Sequence, residues 1–310
     1  MKSAIEKKTI LSFLAAFVVL YILVTSADIS STFEIMRSVD IGVYLFAFST
    51  MFFSYLLRVL RWKKLLENVG FVGRLKDITE ILTLSYFVNT IAPAKLGDVY
   101  RGYLMKKNYK EPISRILGTV FVERSFDIIA MVLLFSSVVF LVFKQIPQNI
   151  MLSMKVGVVL SVLVIVFMVI MKYHDEWLLR FVPKRAGDIF VTFKKGTSDA
   201  LVGSSMPLIG TYTAFIWILD GCRMFLVMRA VGLDAPFSLA VFVVLAGGLA
   251  TAFPLTPAGL GAVELTVSGL LILFGVDKGL AVSITLLDRF ISYWAFLIIG
   301  GLVYVLSKKK

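Results

Sequence analysis

Two arginines stand where the surrounding sequence offers them no water. Arg124 lies about nine residues into the apolar run Ile116 to Phe143, between Glu123 and Asp127, and Arg289 lies at similar depth in the run Gly279 to Leu306, directly after Asp288. At about 1.5 Å of rise per residue that depth is roughly 13 Å. A charge at the centre of a bilayer costs at least about 2.5 to 3.5 kcal/mol, and neither arginine can reach an interface without a long snorkel. Both are therefore expected to face the protein interior, where they can contact an anionic substrate, lock helices through ion pairs with the neighbouring acids, or do both. Asp220 and Arg223, three apart in another apolar run, form a third such pair.

The other chemistry-bearing residues gather at two places where proline and glycine interrupt apolar sequence. Asn89, Pro93, Lys95, Asp98 and Arg101 surround the first, with Lys95 placed to sit at the tip of a half-helix. Pro257, Gly261 and Glu264 mark the second, which carries fewer charges. Proline breaks a helix in its interior but suits the first turn of a new one, so Pro93 and Pro257 are expected to open half-helices whose positive N-termini can hold an anion. Recognition of a phosphate-like group fits this set better than catalysis. The single histidine, His174, and the single cysteine, Cys222, form no cluster, so no metal site of the usual kind and no Cys-His or Ser-His nucleophile pair is expected. No Walker-type lysine loop is present, and no cofactor is expected.

The elements that must position these residues are membrane helices. A chain of 310 residues that is 59% hydrophobic, 17% charged and has a mean hydropathy of +0.90 is too apolar for a soluble fold with a polar surface. Six runs are long enough to cross a bilayer, which takes about 20 apolar residues: Thr9 to Ser26, Ile41 to Leu60, Ile116 to Phe143, Ile150 to Met171, Met206 to Val227 and Gly279 to Leu306. The first follows the basic stretch Met1 to Lys8 without a convincing signal-cleavage site, so it is expected to be retained. With the N- and C-termini in the cytoplasm, 24 of the 32 lysines and arginines fall on the inner side, which is the positive-inside pattern. The net charge of +12 then reports orientation in a cell membrane, and no nucleic-acid partner is expected. Residues 172–205, with Trp177, Leu178, Leu179, Phe181, Phe190 and Phe193 among basic residues, are expected to form one or two amphipathic helices on the inner leaflet.

The two interruptions are copies of one another. Pro-Ala-Lys-Leu-Gly-Asp-Val-Tyr at Pro93 to Tyr100 returns as Pro-Ala-Gly-Leu-Gly-Ala-Val-Glu at Pro257 to Glu264. Arg61, nine residues before Gly70, matches Arg223, nine before Gly232, and Glu123-Arg124 matches Asp288-Arg289. Three landmarks in one order describe an internal duplication. Each half contains three crossings, an odd number, so residues 1–145 and 146–310 are expected to run through the membrane in opposite senses, as an inverted repeat. The interrupted segments, about 77–106 and about 236–275, are too charged or too short for ordinary crossings. They are expected to be re-entrant hairpins, from the cytoplasm and from outside respectively, the second alternatively two short spans. The fold class is thus all-α and polytopic, with six full crossings and two hairpins around a polar centre, because broken helices at membrane depth are tolerated only inside protein or along a wet cavity.

Arg58-Val-Leu-Arg61-Trp62, Asn89 with Pro93 to Arg101, Glu123-Arg124-Ser-Phe-Asp127, Phe253-Pro254-Leu-Thr-Pro257-Ala-Gly-Leu-Gly261-Ala-Val-Glu264 and Asp288-Arg289 resemble the lysylphosphatidylglycerol synthase membrane-region, or flippase-like, family, typified by the membrane half of the multiple peptide resistance factor. The resemblance covers nearly the whole chain. It implies movement of a phosphate-bearing lipid, a membrane phospholipid or a polyprenyl-phosphate-linked lipid, between leaflets, and an envelope-biosynthesis enzyme as a partner class. Gly97-Asp98 stands where the family often has Gly-Glu, and the soluble synthase domain is not expected, the chain ending at Lys310. The rival expectations are a membrane enzyme using Glu123, Asp127 or Asp98 on a lipid phosphate or lipid-linked sugar, an ion or small-solute transporter, and a membrane adaptor.

Overall fold

The computed structural model describes residues 18, 21–23, 25, 29–143, 145, 148–173, 183, 187–251 and 256–310. The described residues form helices and their connections, with no strand among them. In chain order the helices are α1 (Ile29–Arg37), α2 (Ile41–Asn68), α3 (Leu75–Ile91), α4 (Leu96–Tyr109), α5 (Ile113–Val142), α6 (Gln148–Tyr173), α7 (Gly187–Ala200), α8 (Met206–Ala230), α9 (Phe237–Ala250), α10 (Ala262–Leu273), α11 (Lys278–Arg289) and α12 (Ala295–Leu306). Five stretches are long and apolar enough to cross a membrane: α2, α5, Ile150–Tyr173 of α6, Gly203–Ala230 around α8, and Lys278–Leu306, where α11 and α12 run on through a π-helical turn at Phe290–Trp294. They coincide with five of the six expected crossings. The remaining one, Thr9 to Ser26, lies largely outside the described residues, as do His174, Trp177, Leu178, Leu179, Phe181, Phe253 and Pro254.

Local chemistry sets the ends of these helices. The Asp40 carboxylate accepts the Val43 N–H at 3.0 Å and starts α2, and Asp277 does the same for α11 with the Leu280 N–H at 3.1 Å. Gly70 and Gly232 adopt left-handed conformations, φ +83° and +80°. Each lets the next residue donate back six positions, Phe71 to the Leu66 carbonyl and Leu233 to the Met228 carbonyl, both at 2.9 Å. The two landmark glycines therefore end α2 and α8 with one device.

Helix α6 shows what solvent surrounds the bundle. Leu152, Val159, Leu163 and Val166 are all more than 40% exposed, a surface that only lipid covers at no cost. Inside, α2 lies along α8, α3 packs on α4 and α12, and α9 packs on α10. One apolar cluster gathers Ala47, Met51, Met131, Phe135, Met224, Phe242 and Val267, with Phe135 stacked on Phe242 at 5.2 Å. A second gathers Val59, Trp62, Leu66, Ile78, Leu82 and Leu104. Along α2 and α5 the charged residues fall between these two clusters. Helix α7 docks on α5, where Gly118 and Gly196 have no room for a side chain: a Cβ on Gly196 would stand 2.2 Å from the Arg115 carbonyl oxygen.

Two differences from the sequence reading concern α2. The helix runs on to Asn68, so Arg58 and Arg61, counted above among inner-side charges, are helical residues inside the bundle. Trp62, expected as an interface anchor, is fully buried, donating its indole N–H to Thr119 Oγ1 at 3.3 Å. The reason is the same for all three. Buried partners on α5 and α8 replace the water that each would otherwise need.

Candidate functional site

The charged residues of the interior fall into three balanced sets. In the first, Arg61, Arg101 and Arg124 meet Asp98, Glu123 and Asp127: Arg61 donates to Asp127 at 2.6 Å, Arg101 to Glu123 at 3.0 Å, and Arg124 to both oxygens of Asp98 at 3.0 and 3.1 Å and to Asp127 at 3.3 Å. In the second, Arg58 reaches Asp220 at 2.7 Å and Arg223 reaches Asp220 at 2.9 Å and Asp288 at 2.8 Å. In the third, Arg289 donates to Glu264 at 2.7 Å. Each set holds as many guanidiniums as carboxylates, so the sets are neutral. Mutual pairing is what makes the burial of twelve charges tolerable.

The sequence placed an acid beside each buried arginine, and the structure re-assigns some of those partners. Asp288 turns to Arg223, and Arg289 finds Glu264 from α10 instead. Successive helical residues point about 100° apart, so Asp288 and Arg289 face different neighbours. Glu123 likewise serves chiefly Arg61 and Arg101, at 3.4 and 3.0 Å, with Arg124 at 3.7 Å. Arg101 is fully buried, its guanidinium 4.8 Å from the Trp62 ring centre.

The two interruptions adopt one backbone shape. Ala94 and Lys95 have φ of +59° and +54°, and Ala258 and Gly259, their counterparts in the second copy, have +46° and +69°. For residues with a Cβ this left-handed region costs about 1 kcal/mol or more each, and such strain is characteristic of functional sites. It also moves the helix starts. Helical angles cannot run on from the prolines, so α4 begins at Leu96 after Lys95 and α10 at Ala262 after Gly261, with Pro257–Gly259 forming a separate 3-10 turn. Pro93 and Pro257 thus precede the new helices instead of opening them. Asp98 and Glu264 both become third residues of their helices, and each pairs with the deep arginine of its own half. Glu264 therefore takes the place of Asp98, a position that alignment of the octets assigns to Ala262.

The helix starts already have partners. The Gly261 N–H donates to Glu264 at 2.6 Å, and the Gly97 N–H donates to the Asn89 side chain at 2.8 Å. Gly97 is required there: a Cβ would stand 2.0 Å from the Ser85 carbonyl oxygen. An anion is consequently left to side chains more than to free backbone amides.

Those side chains line a cavity of about 400 Å³ at which both interruptions meet: Lys95 comes from the first, Thr256, Ala258 and Gly259 from the second, and Asn89, Arg124, Asp127 and Arg289 stand around them. Adjoining chambers of about 250 and 120 Å³ extend it past Arg223, and the smaller also reaches Asp288. Arg61, Asp98, Arg101, Glu123 and Glu264 lie behind the wall as partners of residues that form it, and Pro93, Pro257 and Gly261 shape the backbone. Arg124 and Arg289 keep part of their surface accessible, 27% and 9% of the side chain. Lys95 is exposed, and among the described residues no carboxylate lies within 4.0 Å of its ammonium group. Arg58, Tyr86, Trp217, Thr251, Thr256 and Ser292 also belong to the wall and were not singled out from sequence. A signal existed for two of them: Arg58 falls opposite Asp220 at the spacing that relates Arg61 to Arg223, and Ser292 falls opposite Asp127 at the spacing that relates Arg124 to Arg289. Trp217 gave none, being one aromatic in an apolar run.

Long lipid-facing helices, a charge-paired interior and a polar cavity between two helix breaks define a multi-pass helical membrane protein with an internal polar site. Its sequence matches the model of the lysylphosphatidylglycerol synthase TM region over residues 9–300, and the chain belongs to that family. A UPF0104 membrane protein of Methanocaldococcus jannaschii is 36% identical over 228 residues, covering 72% of this chain and 95% of that one. Another, from Pyrococcus horikoshii, is 25% identical over 98% of both chains. The glycosyltransferase AglD of Haloferax volcanii is 24% identical over 90% of this chain but only 51% of its own length.

Proposed function

We propose that the protein moves a phosphate-bearing lipid, a phospholipid or a polyprenyl-phosphate-linked lipid, between the leaflets of the cell membrane, and acts as a transporter without performing chemistry on its cargo. The halves 1–145 and 146–310 form an inverted repeat, with six crossings, α3–α4 and α9–α10 as re-entrant hairpins, and both termini in the cytoplasm. Support for the repeat comes from the matched glycine ends of α2 and α8, the matched left-handed residues at Ala94 and Ala258, and the matched pairs Asp98–Arg124 and Glu264–Arg289. The observation that carries the function is Lys95: a cation without a carboxylate partner, on the wall of a cavity whose other buried cations are all matched. The phosphate sits against Lys95 and the free N–H groups of Arg124 and Arg289, its tails remain in the bilayer, and rocking of the halves exchanges access. A lipid gradient or a coupled ion drives it.

Reconstitution into liposomes with fluorescent phospholipids and a fluorescent polyprenyl phosphate tests this. The native protein exchanges at least one of them between leaflets, and Lys95→Ala and Arg124→Ala slow that exchange at least tenfold. If neither substitution alters exchange of any lipid that the native protein moves, the phosphate site is elsewhere. The AglD relationship favours a lipid-linked sugar among the cargoes, and a membrane enzyme acting on such a lipid is the competing reading. Turnover of a lipid-linked sugar by the purified protein, without leaflet exchange, would establish that alternative.

A further inference from the structure

Resting on the lipid-transport reading, we infer that the cavity takes a head group with one net negative charge, a phosphodiester, with Lys95 as its counter-ion and the Trp217 indole N–H as a second donor, and that it rejects the dianion of a phosphomonoester. The charge balance sets the first part. The three ion-pair sets are each neutral, with short contacts such as Arg58–Asp220 at 2.7 Å, Arg124–Asp98 at 3.0 Å and Arg289–Glu264 at 2.7 Å. What remains is the single charge of Lys95. One negative charge brought to the cavity is matched there. A second would be buried without a counter-ion, in surroundings where an unpaired charge is heavily penalised.

The unpaired donors give the second part. Trp217 Nε1 and Tyr86 Oη are buried, and neither has a hydrogen-bond partner, although both residues line the cavity. An indole N–H can only donate, and an ammonium group only donates, so the wall offers donors in want of acceptors. The hydroxyls and carboxylate that could compete are engaged: Thr251 donates to the Gly248 carbonyl at 2.6 Å, and both oxygens of Asp127 accept from arginines. The non-bridging oxygens of a phosphodiester are acceptors without protons, the complement of such a wall.

Calorimetry on the detergent-purified full chain tests this with three short-chain probes: dihexanoyl phosphatidylglycerol and citronellyl-phosphoryl-glucose, both diesters, and dihexanoyl phosphatidic acid, a monoester. At pH 8.5 at least one diester binds ten times or more tightly than the monoester, and which one identifies the source of the head group. At pH 5.5 the monoester is largely singly charged, its second pKa being about 6, and the gap closes to less than threefold. Trp217→Phe weakens the diester about fivefold and keeps the preference. Lys95→Met removes diester binding, while Lys95→Arg, which preserves the charge and guards against a folding defect in the methionine variant, retains both binding and preference. Equal or tighter binding of the monoester at pH 8.5, or undiminished diester binding by Lys95→Met, overturns the inference. Diester binding with this preference but no leaflet exchange overturns the transport reading alone, and exchange without the preference overturns this inference alone.

Discussion

Replacing Glu264 by glutamine removes one charge from the interior with almost no change of shape. Glu264 is 1% exposed; one oxygen accepts from the Gly261 N–H at 2.6 Å and the other from Arg289 Nε at 2.7 Å. Glutamine can keep the first of these contacts. Arg289 is then left with the Ala258 carbonyl at 3.3 Å and the Tyr293 ring at 5.0 Å, and no carboxylate. Removing one partner of a buried pair costs about 3 to 5 kcal/mol. Asp98→Asn is the matched control in the other half. There Arg124 keeps Asp127 at 3.3 Å and Glu123 at 3.7 Å and is 27% exposed, so the loss falls to about 1 to 2 kcal/mol by partial solvation and the remaining partners. A protein of this size loses about 2 °C of Tm per kcal/mol. Glu264→Gln is therefore expected to lower Tm by about 6 to 10 °C and Asp98→Asn by about 2 to 4 °C. Adding Arg289→Gln to Glu264→Gln removes the stranded cation and restores at least about 2 kcal/mol. Unfolding in detergent can be followed through the reactivity of Cys222, the single thiol of the chain. Equal losses for the two single variants, or a double variant no more stable than Glu264→Gln, would refute the assignment of these partners.

Gly97→Ala would force apart α3 and α4, since the new methyl meets the Ser85 carbonyl oxygen at 2.0 Å; about 2 to 3 kcal/mol of stability is lost, whereas Gly269→Ala, with nothing within 4 Å, gains about 0.5 kcal/mol in the interior of α10, both read from thermal unfolding. Gly259→Ala places a Cβ at φ +69° and 2.9 Å from Thr251 Cγ2 and lowers Tm, while Ala94→Gly, relieving φ +59°, leaves it unchanged or raises it by up to about 1 kcal/mol equivalent. At the end of the chain, the Lys309 ammonium hydrogen-bonds Asp77 at 2.8 Å and holds its carboxyl down to about 2, from 3.8. Because the folded value is depressed, the stabilisation is complete above about pH 4 and disappears as pH falls through 2. Lys309→Gln raises the Asp77 midpoint toward 3.8 in a carboxyl NMR titration, and an unchanged midpoint would exclude the contact.

Much of the fold was legible because membrane helices announce themselves through one property, sustained apolarity over a bilayer-spanning length. The ends were harder. Helix α2 reads from sequence as stopping before Arg58, since two arginines and a tryptophan suggest an interface, yet it continues to Asn68. That continuation depends on Asp127, Thr213, Asp220 and Thr119, which accept the hydrogen bonds of Arg61, Arg58 and Trp62 from other helices. No local pattern contains such long-range partners. The breaks, by contrast, were visible as Pro-Ala octets, and only their phase was misjudged, because consecutive left-handed residues at Ala94 and Lys95 follow from packing and not from the propensity of alanine or lysine.

The site shows a similar division between residue types and their roles. Sequence marked Arg124 and Arg289 as the anion ligands because they are the most costly charges in the chain, and pairing shifts the weight elsewhere. A guanidinium held by carboxylates at 2.7 to 3.0 Å contributes donors and little net charge, whereas Lys95, unremarkable in sequence beside six other basic residues of its neighbourhood, carries the charge that the cavity presents. The same pairing bears on how the halves could separate. Around the cavity the pairs Arg61–Asp127, Arg101–Glu123, Arg124–Asp98, Arg223–Asp288 and Arg289–Glu264 each lie within one half, and Arg58–Asp220 joins the two. A relative motion of the halves at this level therefore parts one ion pair and leaves the other buried charges with their partners. Were the network shared evenly across the boundary, each opening would strand several charges at a cost of some 3 kcal/mol apiece, and a cavity built that way would stay shut.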